Sequence, residues 1–476
     1  MIVCRKKDRR HNNMKKAKIN NMTKYIILLV LFAGILLVIP SLVRTFNNNP
    51  YIINSEAYHN IRIYNQDGNT NYDSLQGHDI EMNILDMIRL GDTGKYILFR
   101  IVPMILGLLT VVFTYLVLKK HNATEKVILA ILALMIVSPI FLYIFTDYKT
   151  YSFIIFLNVL GLYFLSDHKA MFSGITLGII PFIDIYAGIL TLLLLMVYIF
   201  ASSRNHASSR ITSIVILTAI ILSIIINIYY GYDIWHLLHF ESQNIITDIG
   251  ADIGLSFSVF IIAIIGLILL WENGWRNLIT YILMILFVIL SFFNTTTRIY
   301  MNFILIIYAG FAFVYLNRRK WSITIIKKTT ILLIICSIFF STLVYNTRII
   351  RSEPSPEYID ALKFVSNQSL PSETIVDYPG YGYMTEYYTG RRVFVDDDTK
   401  YYDSERVAAL DTLATSRNLD RTESIMKKYD LKYIIVSQEF NTYLKDKEGL
   451  LFLMDTSQKF KSIYKNDAVE VWMYIG

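Results

Sequence analysis

"FSGITLGIIPFIDIYAGILTLLLLMVYIF", residues 172–200, is the stretch on which the fold turns. As one helix it would reach about 43 Å, long for a single passage through an apolar bilayer core of roughly 30 Å. Pro181 and Asp184 stand in its middle, and a proline inside a helix removes a hydrogen bond and crowds the preceding turn. Whether the stretch makes one crossing or two decides on which side of a membrane every later loop lies.

Charge resolves the choice. The other apolar runs long enough to span are 25–43, 97–118, 126–145, 150–166, 211–229, 255–271, 277–293, 299–316 and 329–345. Nine basic residues (Arg5, Lys6, Lys7, Arg9, Arg10, Lys15, Lys16, Lys18 and Lys24) precede the first run, so the N-terminus is expected on the cytoplasmic side. No small-residue cleavage site follows that run, which reads as a retained span rather than a signal peptide. If 172–200 is two short spans, Lys119, Lys120, Lys126, Lys169, Arg204, Arg210, Arg276 and the basic link "NRRKWSITIIKK" (317–328) all fall inside. One span would put that last link outside, against the positive-inside tendency. The expectation is therefore an α-helical polytopic membrane protein of about 11 spans. It has a basic tail over 1–24, a membrane domain over 25–345 and an extracytoplasmic α/β domain over 346–476.

Composition agrees with a membrane protein. Of 476 residues, 54% are hydrophobic and 17% charged, with a mean hydropathy of +0.44, where soluble domains carry roughly 25% charged residues. The net charge of +7 comes from the tail and inner links, so it does not point to nucleic acid. Cys4 and Cys336 are too far apart in character, one in the basic tail and one in an apolar run, to make a disulfide framework.

The outer loops differ in kind from the inner ones. Loop 44–95 carries Glu56, Asp67, Asp73, Asp79, Glu81, Asp86 and Asp92 against Arg44, Arg62, Arg89 and Lys95. Loop 230–254 carries Asp233, Glu241, Asp248 and Asp252 and no Lys or Arg. Long acidic loops on one face and short basic links on the other put the chemistry outside. Beyond Ser352 the pattern turns to soluble α/β. Helices are expected over 355–368, with Ser355 as N-cap, and over 421–430. Strands are expected over 374–379, 391–397, 432–438 and 468–475, forming a small parallel or mixed sheet. The Tyr- and Gly-rich "GYGYMTEYYTG" (380–390) suits a headgroup anchor at a membrane surface.

Several stretches resemble the GT-C glycosyltransferases, and among them the catalytic subunits of archaeal oligosaccharyltransferases. Glu56, Tyr58, His59 and Arg62 in "NSEAYHNIRI" resemble the motif that opens the family's first outer loop. "FTDYKTYS" (145–152) resembles its second acidic motif, with Asp147 as the acid. "HFESQN" (239–244) resembles the loop with a glutamate near the acceptor, here Glu241, and "TTTRIYMNFILIIYAG" (295–310) the span whose arginine, here Arg298, lies near the lipid phosphate. Residues 361–397 run parallel to the segment around the WWDYG signature. The chain departs from that pattern at three places: Glu56 stands for an aspartate, Lys149 for a second acid, and Gly380 for the aspartate of WWDYG.

The resemblance implies transfer of a sugar or oligosaccharide from a polyprenyl-phosphate donor to a glycan or protein acceptor on the outer face, at the plasma membrane. Glu56 and Asp147 would act as a general base or as oxygen ligands of Mg²⁺ or Mn²⁺. Arg298, Arg62 and His59 would hold the phosphate, with Glu241, Tyr381 and Tyr383 on the acceptor side. Gly380 argues against sequon-specific transfer onto Asn, which stays the alternative. A lipid-sugar flippase or transporter and a non-catalytic anchor are rivals of other classes, the former expecting midplane charges and repeated halves.

Each residue also has a purely structural reading. Glu56 could be a first-turn acid capped by Ser55, and His59 a hydrogen-bonding structural residue. Arg62 could be its ion-pair partner and Asp147 an interfacial turn residue. Arg298 could be a snorkelling boundary residue and Asp184 a hairpin cap. Asp396, Asp397 and Asp398 read as a solvated strand end, and Arg100 as a costly, and so suggestive, charge near the second span.

Overall fold

The structure is a computed structural model that describes residues 2–53, 55, 57–58, 61, 92–202, 216–218, 220–225, 246–249, 253–270, 278–396 and 403–476. Glu56, His59, Arg62, Glu241, Asp397 and Asp398 lie outside the described residues. The chain divides into two compact units. The first holds residues up to Leu42 and Asp92–Arg348, the second the described residues of 43–61 and Ile349–Gly476.

Among the described residues the first unit is built of helices, apart from one isolated bridge between Ile246 and Leu255. Its elements are α1 (Ile2–Phe46), α2 (Asp92–Lys120), α3 (Glu125–Ile136), α4 (Pro139–Phe145), α5 (Thr150–Ser166), α6 (Ala170–Ile183), α7 (Ile185–Ser202), α8 (Phe257–Leu270), α9 (Leu278–Ser291), α10 (Thr295–Arg318) and α11 (Thr324–Arg351). Among the described residues four helices are long and apolar enough to cross a membrane, and five if the bent pair α3–α4 counts as one. The remaining apolar helices, α5, α6 and α8 among them, have 10–17 residues. Helix length alone thus supports fewer spans than the eleven expected.

Two breaks have identifiable causes. The run 126–145, expected to be one span, bends by 62°, because Ser138 is extended and Pro139 restarts the helix without an N–H to bond back. The opening stretch breaks as well, at Asp184, which is extended between α6 and α7 and accepts the Ala187 amide at 2.8 Å through Oδ1. A carboxylate on a helix N-terminus satisfies one of its orphan donors. Pro181 is accommodated in the last turn of α6.

Helix α10 is the hub, packed against α3, α7, α8 and α9, while α5 packs against α2 and α6. Close approach depends on a small residue on α8: a Cβ on Gly266 would come within 2.3 Å of the Tyr308 carbonyl oxygen. Within the membrane this is how helices gain dispersion contacts without a hydrophobic driving force.

The second unit is α/β. Its elements are α12 (Pro356–Gln368), β1 (Thr374–Val376), α13 (Gly382–Thr389), β2 (Arg392–Val393), α14 (Ser404–Thr415), α15 (Leu419–Lys428), β3 (Leu431–Val436), α16 (Gln438–Lys447), α17 (Leu450–Thr456), β4 (Phe460–Lys465) and β5 (Glu470–Tyr474). The sheet is mixed, in the order β2-β1-β3-β5-β4. β2, β1 and β3 run parallel, and β5 and β4 are antiparallel. Side chains cap the helices at Ser355, Asp403, Asn418 and Ser437. Phe394, Leu413, Ile434, Phe440 and Leu453 are among the core residues. Asp396, expected to be solvated, is instead buried, with its Cβ against Gly382.

Arg44, only 1% exposed, ties residues far apart in sequence within this unit. Its guanidinium donates to the carbonyls of Ile350 (3.2 Å), Ser352 (2.5 Å) and Pro354 (2.8 Å), and to Asn49 Oδ1 (3.0 Å). Only a planar fork of donors satisfies several acceptors at once. Arg44→Ala would take this donor from the Ile350 and Ser352 carbonyls and leave the Pro354 carbonyl to Asn49 Nδ2 alone, at a cost of roughly 3 kcal/mol or more. The expected outcome is a lower unfolding temperature and faster proteolysis after residue 349, which Arg44→Lys does not restore.

Candidate active site

In the first unit the N-termini of α5, α7 and α10 meet. Tyr151, in the first turn of α5, shares a hydrogen bond with Thr296 Oγ1 at 3.1 Å, and Tyr186, in the first turn of α7, shares one with Thr297 Oγ1 at 2.6 Å. Asn294 caps α10 by accepting the Thr297 amide at 3.2 Å. Further along α10, Tyr300 receives a hydrogen bond from Asn158 Nδ2 (2.7 Å), shares one with Thr191 Oγ1 (3.0 Å), and donates to the Ala187 carbonyl (3.2 Å). Three positive helix ends with their first-turn hydroxyls joined make a region of favourable potential for an anion.

Asp147 and Arg298 belong to this end. Asp147 precedes α5 by three residues and is 4% exposed, and Arg298, in the first turn of α10, is 1% exposed. The Arg298 guanidinium donates to the carbonyls of Ser291 at 2.7 Å and Ile253 at 3.3 Å. A snorkelling arginine would reach out to water, whereas this one is turned into the protein. Tyr148 beside Asp147 is fully buried, its ring 4.7 Å from Phe99. Lys149, where the resembled family has a second acid, lies with its ammonium 4.0 Å from the centre of the Tyr143 ring. Arg100 is tied within the same unit, donating to Ser41 Oγ at 3.0 Å.

The second unit contributes a tyrosine cluster. The Tyr58 ring lies 5.3 Å from that of Tyr387 and 5.4 Å from that of Tyr388, and Tyr51 stands edge-on to Tyr388 at 6.0 Å. Tyr58 is fully buried and its hydroxyl donates to the Ile52 carbonyl at 3.0 Å. Helix α13 thus grips the segment whose sequence carries Glu56 and His59 on either side of Tyr58. Tyr383 is buried as well, while Tyr381 donates its hydroxyl to the Glu439 carboxylate. Burial first, and then the charge of Glu439, hold the Tyr381 hydroxyl well above the ordinary tyrosine range.

Position 380 is filled by its neighbours: a Cβ on Gly380 would lie 3.0 Å from the Tyr378 ring. A side chain there would need that ring to give by a few tenths of an ångström. Asp377, not singled out by sequence, follows β1, at the carboxyl end of the parallel strands, where ligand sites of α/β sheets tend to lie. It accepts hydrogen bonds from Tyr358 Oη (2.5 Å), Thr385 Oγ1 (2.5 Å) and the Tyr378 amide (2.7 Å). Burial nevertheless pushes its carboxyl up to about 7.

Among the described residues no three His, Cys, Asp or Glu side chains gather as metal ligands. Near Asp147, Lys149 takes the place of a second oxygen donor. The described residues by themselves do not fit a divalent cation, which needs several oxygen ligands.

No family model and no curated protein matches the sequence. Solved structures do match. The apo oligosaccharyltransferase of Archaeoglobus fulgidus aligns with a TM-score of 0.62 at 12% identity, covering 90% of this chain and 72% of that one. An oligosaccharyltransferase AglB of the same organism, in complex with an inhibitory peptide and a dolichol-phosphate, aligns with a TM-score of 0.62 at 11% identity, covering 88% and 70%. ArnT from Cupriavidus metallidurans, bound to undecaprenyl phosphate, aligns with a TM-score of 0.50 at 10% identity, covering 95% and 98%. The chain has the GT-C fold. At these identities the likeness is one of fold, shared with polytopic membrane glycosyltransferases. The apolar helices of the GT-C unit accord with an integral membrane protein.

Asp377 yields a pH prediction. Its carboxyl titrates at 3.8 when unfolded and about 7 when folded, so between those values the unfolded chain has released a proton that the folded chain keeps. Stability should fall with rising pH across that window by roughly 1.4 kcal/mol per pH unit, and level off above it. Unfolding temperature measured against pH should show this slope, and Asp377→Asn should flatten it. Tyr58→Ala should loosen the grip of α13 on the Glu56 segment. Hydrogen exchange of residues 51–61 should then rise severalfold while that of β3 and β5 stays unchanged.

Proposed function

We propose that the protein is a membrane glycosyltransferase that moves a sugar or oligosaccharide from a polyprenyl-phosphate donor to an acceptor on the outer face. The observation that carries this reading is the burial of Asp147 and Arg298 at the joined N-terminal ends of α5, α7 and α10, within a GT-C fold. The donor's phosphate lies against those helix ends, where the dipoles and Arg298 stabilise negative charge as it leaves. The acceptor attacks the anomeric carbon, the bond from that carbon to the phosphate oxygen breaks, and the phosphate departs with the electron pair. The acceptor's proton passes to a carboxylate, Glu56, with Asp147 supporting the charge that develops on the sugar. Arg62 and His59 assist at the phosphate, and Glu241, Tyr381 and Tyr383 face the acceptor. A divalent cation would need Glu56 and Asp147 together as oxygen ligands, and would then supply charge neutralisation at the phosphate. Gly380, standing where the resembled motif has an aspartate, supports an acceptor other than a sequon asparagine. The N-terminal tail is cytoplasmic, and the α/β unit faces outward at the plasma membrane.

Membranes supplied with a lipid-linked sugar provide the test. Glu56→Gln and Asp147→Asn should each lower transfer by roughly 10²-fold or more with folding intact. Arg298→Lys should lower turnover because a single ammonium cannot replace the fork. Transfer at the wild-type rate in both carboxylate variants would overturn the reading.

A further inference from the structure

A polar cavity lies in the α/β unit, apart from every residue given a role above. It has a volume of about 300 Å³ and opens between the start of α16, α17 and the turn that joins β4 to β5. That size is at the lower end of the roughly 300–1,000 Å³ found for small-ligand sites, enough for about one or two pyranose rings.

The lining has a definite chemistry. Trp472 on β5 packs one side on the hydrophobic core and is half-buried at the cavity. Around it stand Gln438, Asn441, Asp455 and Asp467. The frame of the cavity is already committed: Asn466 Oδ1 accepts the amides of Ala468 (3.0 Å) and Val469 (2.8 Å), and Glu470 accepts from Ser462 Oγ (2.9 Å) and Lys465 Nζ (3.3 Å). By contrast the side chains of Gln438, Asn441, Asp455, Asp467 and Trp472 make no hydrogen bond or ion pair with the described residues. Five groups able to bond thus line one volume without being used by the fold, Gln438, Asp455 and Asp467 exposed to solvent and Asn441 and Trp472 half-buried.

Their types narrow the ligand. No Lys or Arg lines the cavity while three carboxylates do, so phosphates, nucleotides and other anions are disfavoured. An amine would pair with the carboxylates but leave the amide and indole N–H donors unmatched, at a cost. A neutral polyhydroxylated ring answers all of them. Its hydroxyls donate to Asp455 and Asp467 and accept from Gln438, Asn441 and the indole, while its C–H face packs on the Trp472 ring.

We propose that this cavity is a saccharide-binding site, separate from the transfer site and able to hold a glycan without turnover. It does not depend on the transferase reading. Full-length protein in phospholipid nanodiscs, free of sugar-based detergent, is titrated with N,N′-diacetylchitobiose and with mannobiose, and binding is followed by saturation-transfer NMR. The expected result is saturable binding to at least one of the two that weakens about tenfold or more in Asp467→Ala and in Asn441→Ala, both with wild-type unfolding temperature, and in Trp472→Ala. Binding should persist in Glu56→Gln, which separates this site from the transfer site. No binding up to about 20 mM, undiminished binding in Asp467→Ala and Asn441→Ala, or loss in Glu56→Gln alone would overturn the proposal. Preferential binding of spermidine over both saccharides would overturn it in favour of a cation site.

Discussion

The first unit depends on the pairing of hydroxyl groups in the opening turns of α10. Thr296 bonds Tyr151, Thr297 bonds Tyr186, and Tyr300 joins Asn158, Thr191 and the Ala187 carbonyl. Away from water an unpaired hydroxyl or amide is costly, so α5 and α7 have one favourable register against α10. Apolar side chains alone would allow sliding, because lipid tails are as apolar as leucine. The same contacts bring three helix N-termini together, so a single constraint both fixes the packing and creates the positive end where Asp147 and Arg298 are buried.

Burial changes what those two residues can be. A carboxylate and a guanidinium at a membrane boundary are cheap when they reach water and expensive when they do not. Arg298 turns inward to backbone carbonyls at 2.7 and 3.3 Å, a geometry that fixes the plane of its fork. A cation fixed in this way needs little reorganisation to meet negative charge, which is what the proposed transfer asks of it. In the second unit Tyr58 plays the corresponding part for its own segment, pinned by Tyr387 and Tyr388 and by its bond to Ile52.

Much of this was legible in the chain. Pro181 and Asp184 marked the break between α6 and α7, Ser355 marked the start of α12, and "TIVDYP" and "KYIIVSQ" marked β1 and β3, since caps, prolines and apolar runs act over a few residues. The fold class was readable from the GT-C-like motifs, and structural neighbours carry the same fold. Other features escaped. Strand β4, "FKSIYK", is an edge strand whose Lys461 and Ser462 are exposed, and edge strands carry charges that blur the apolar alternation. "GYGYMTEYYTG" contains helix α13, although Gly and Tyr are poor helix formers, because its aromatic rings pack inside the unit. Asp396 looked like part of a solvated acidic run, yet its Cβ is held against Gly382.

The sequence by itself determined that this is a polytopic helical protein with an α/β unit after it, because hydrophobic run length and hydrophobic period are local quantities. It also nominated Asp147 and Arg298 and located the breaks in the helices. Only the tertiary structure decided that those two residues share one end of a helix bundle, that Asp377 is a buried acid held by Tyr358 and Thr385, and that four polar side chains unused by the fold line one cavity beside Trp472. The hydrogen-bonded partners in the first two cases lie between 8 and 145 residues apart in the chain. Proximity of that kind is set by packing, which no local pattern encodes.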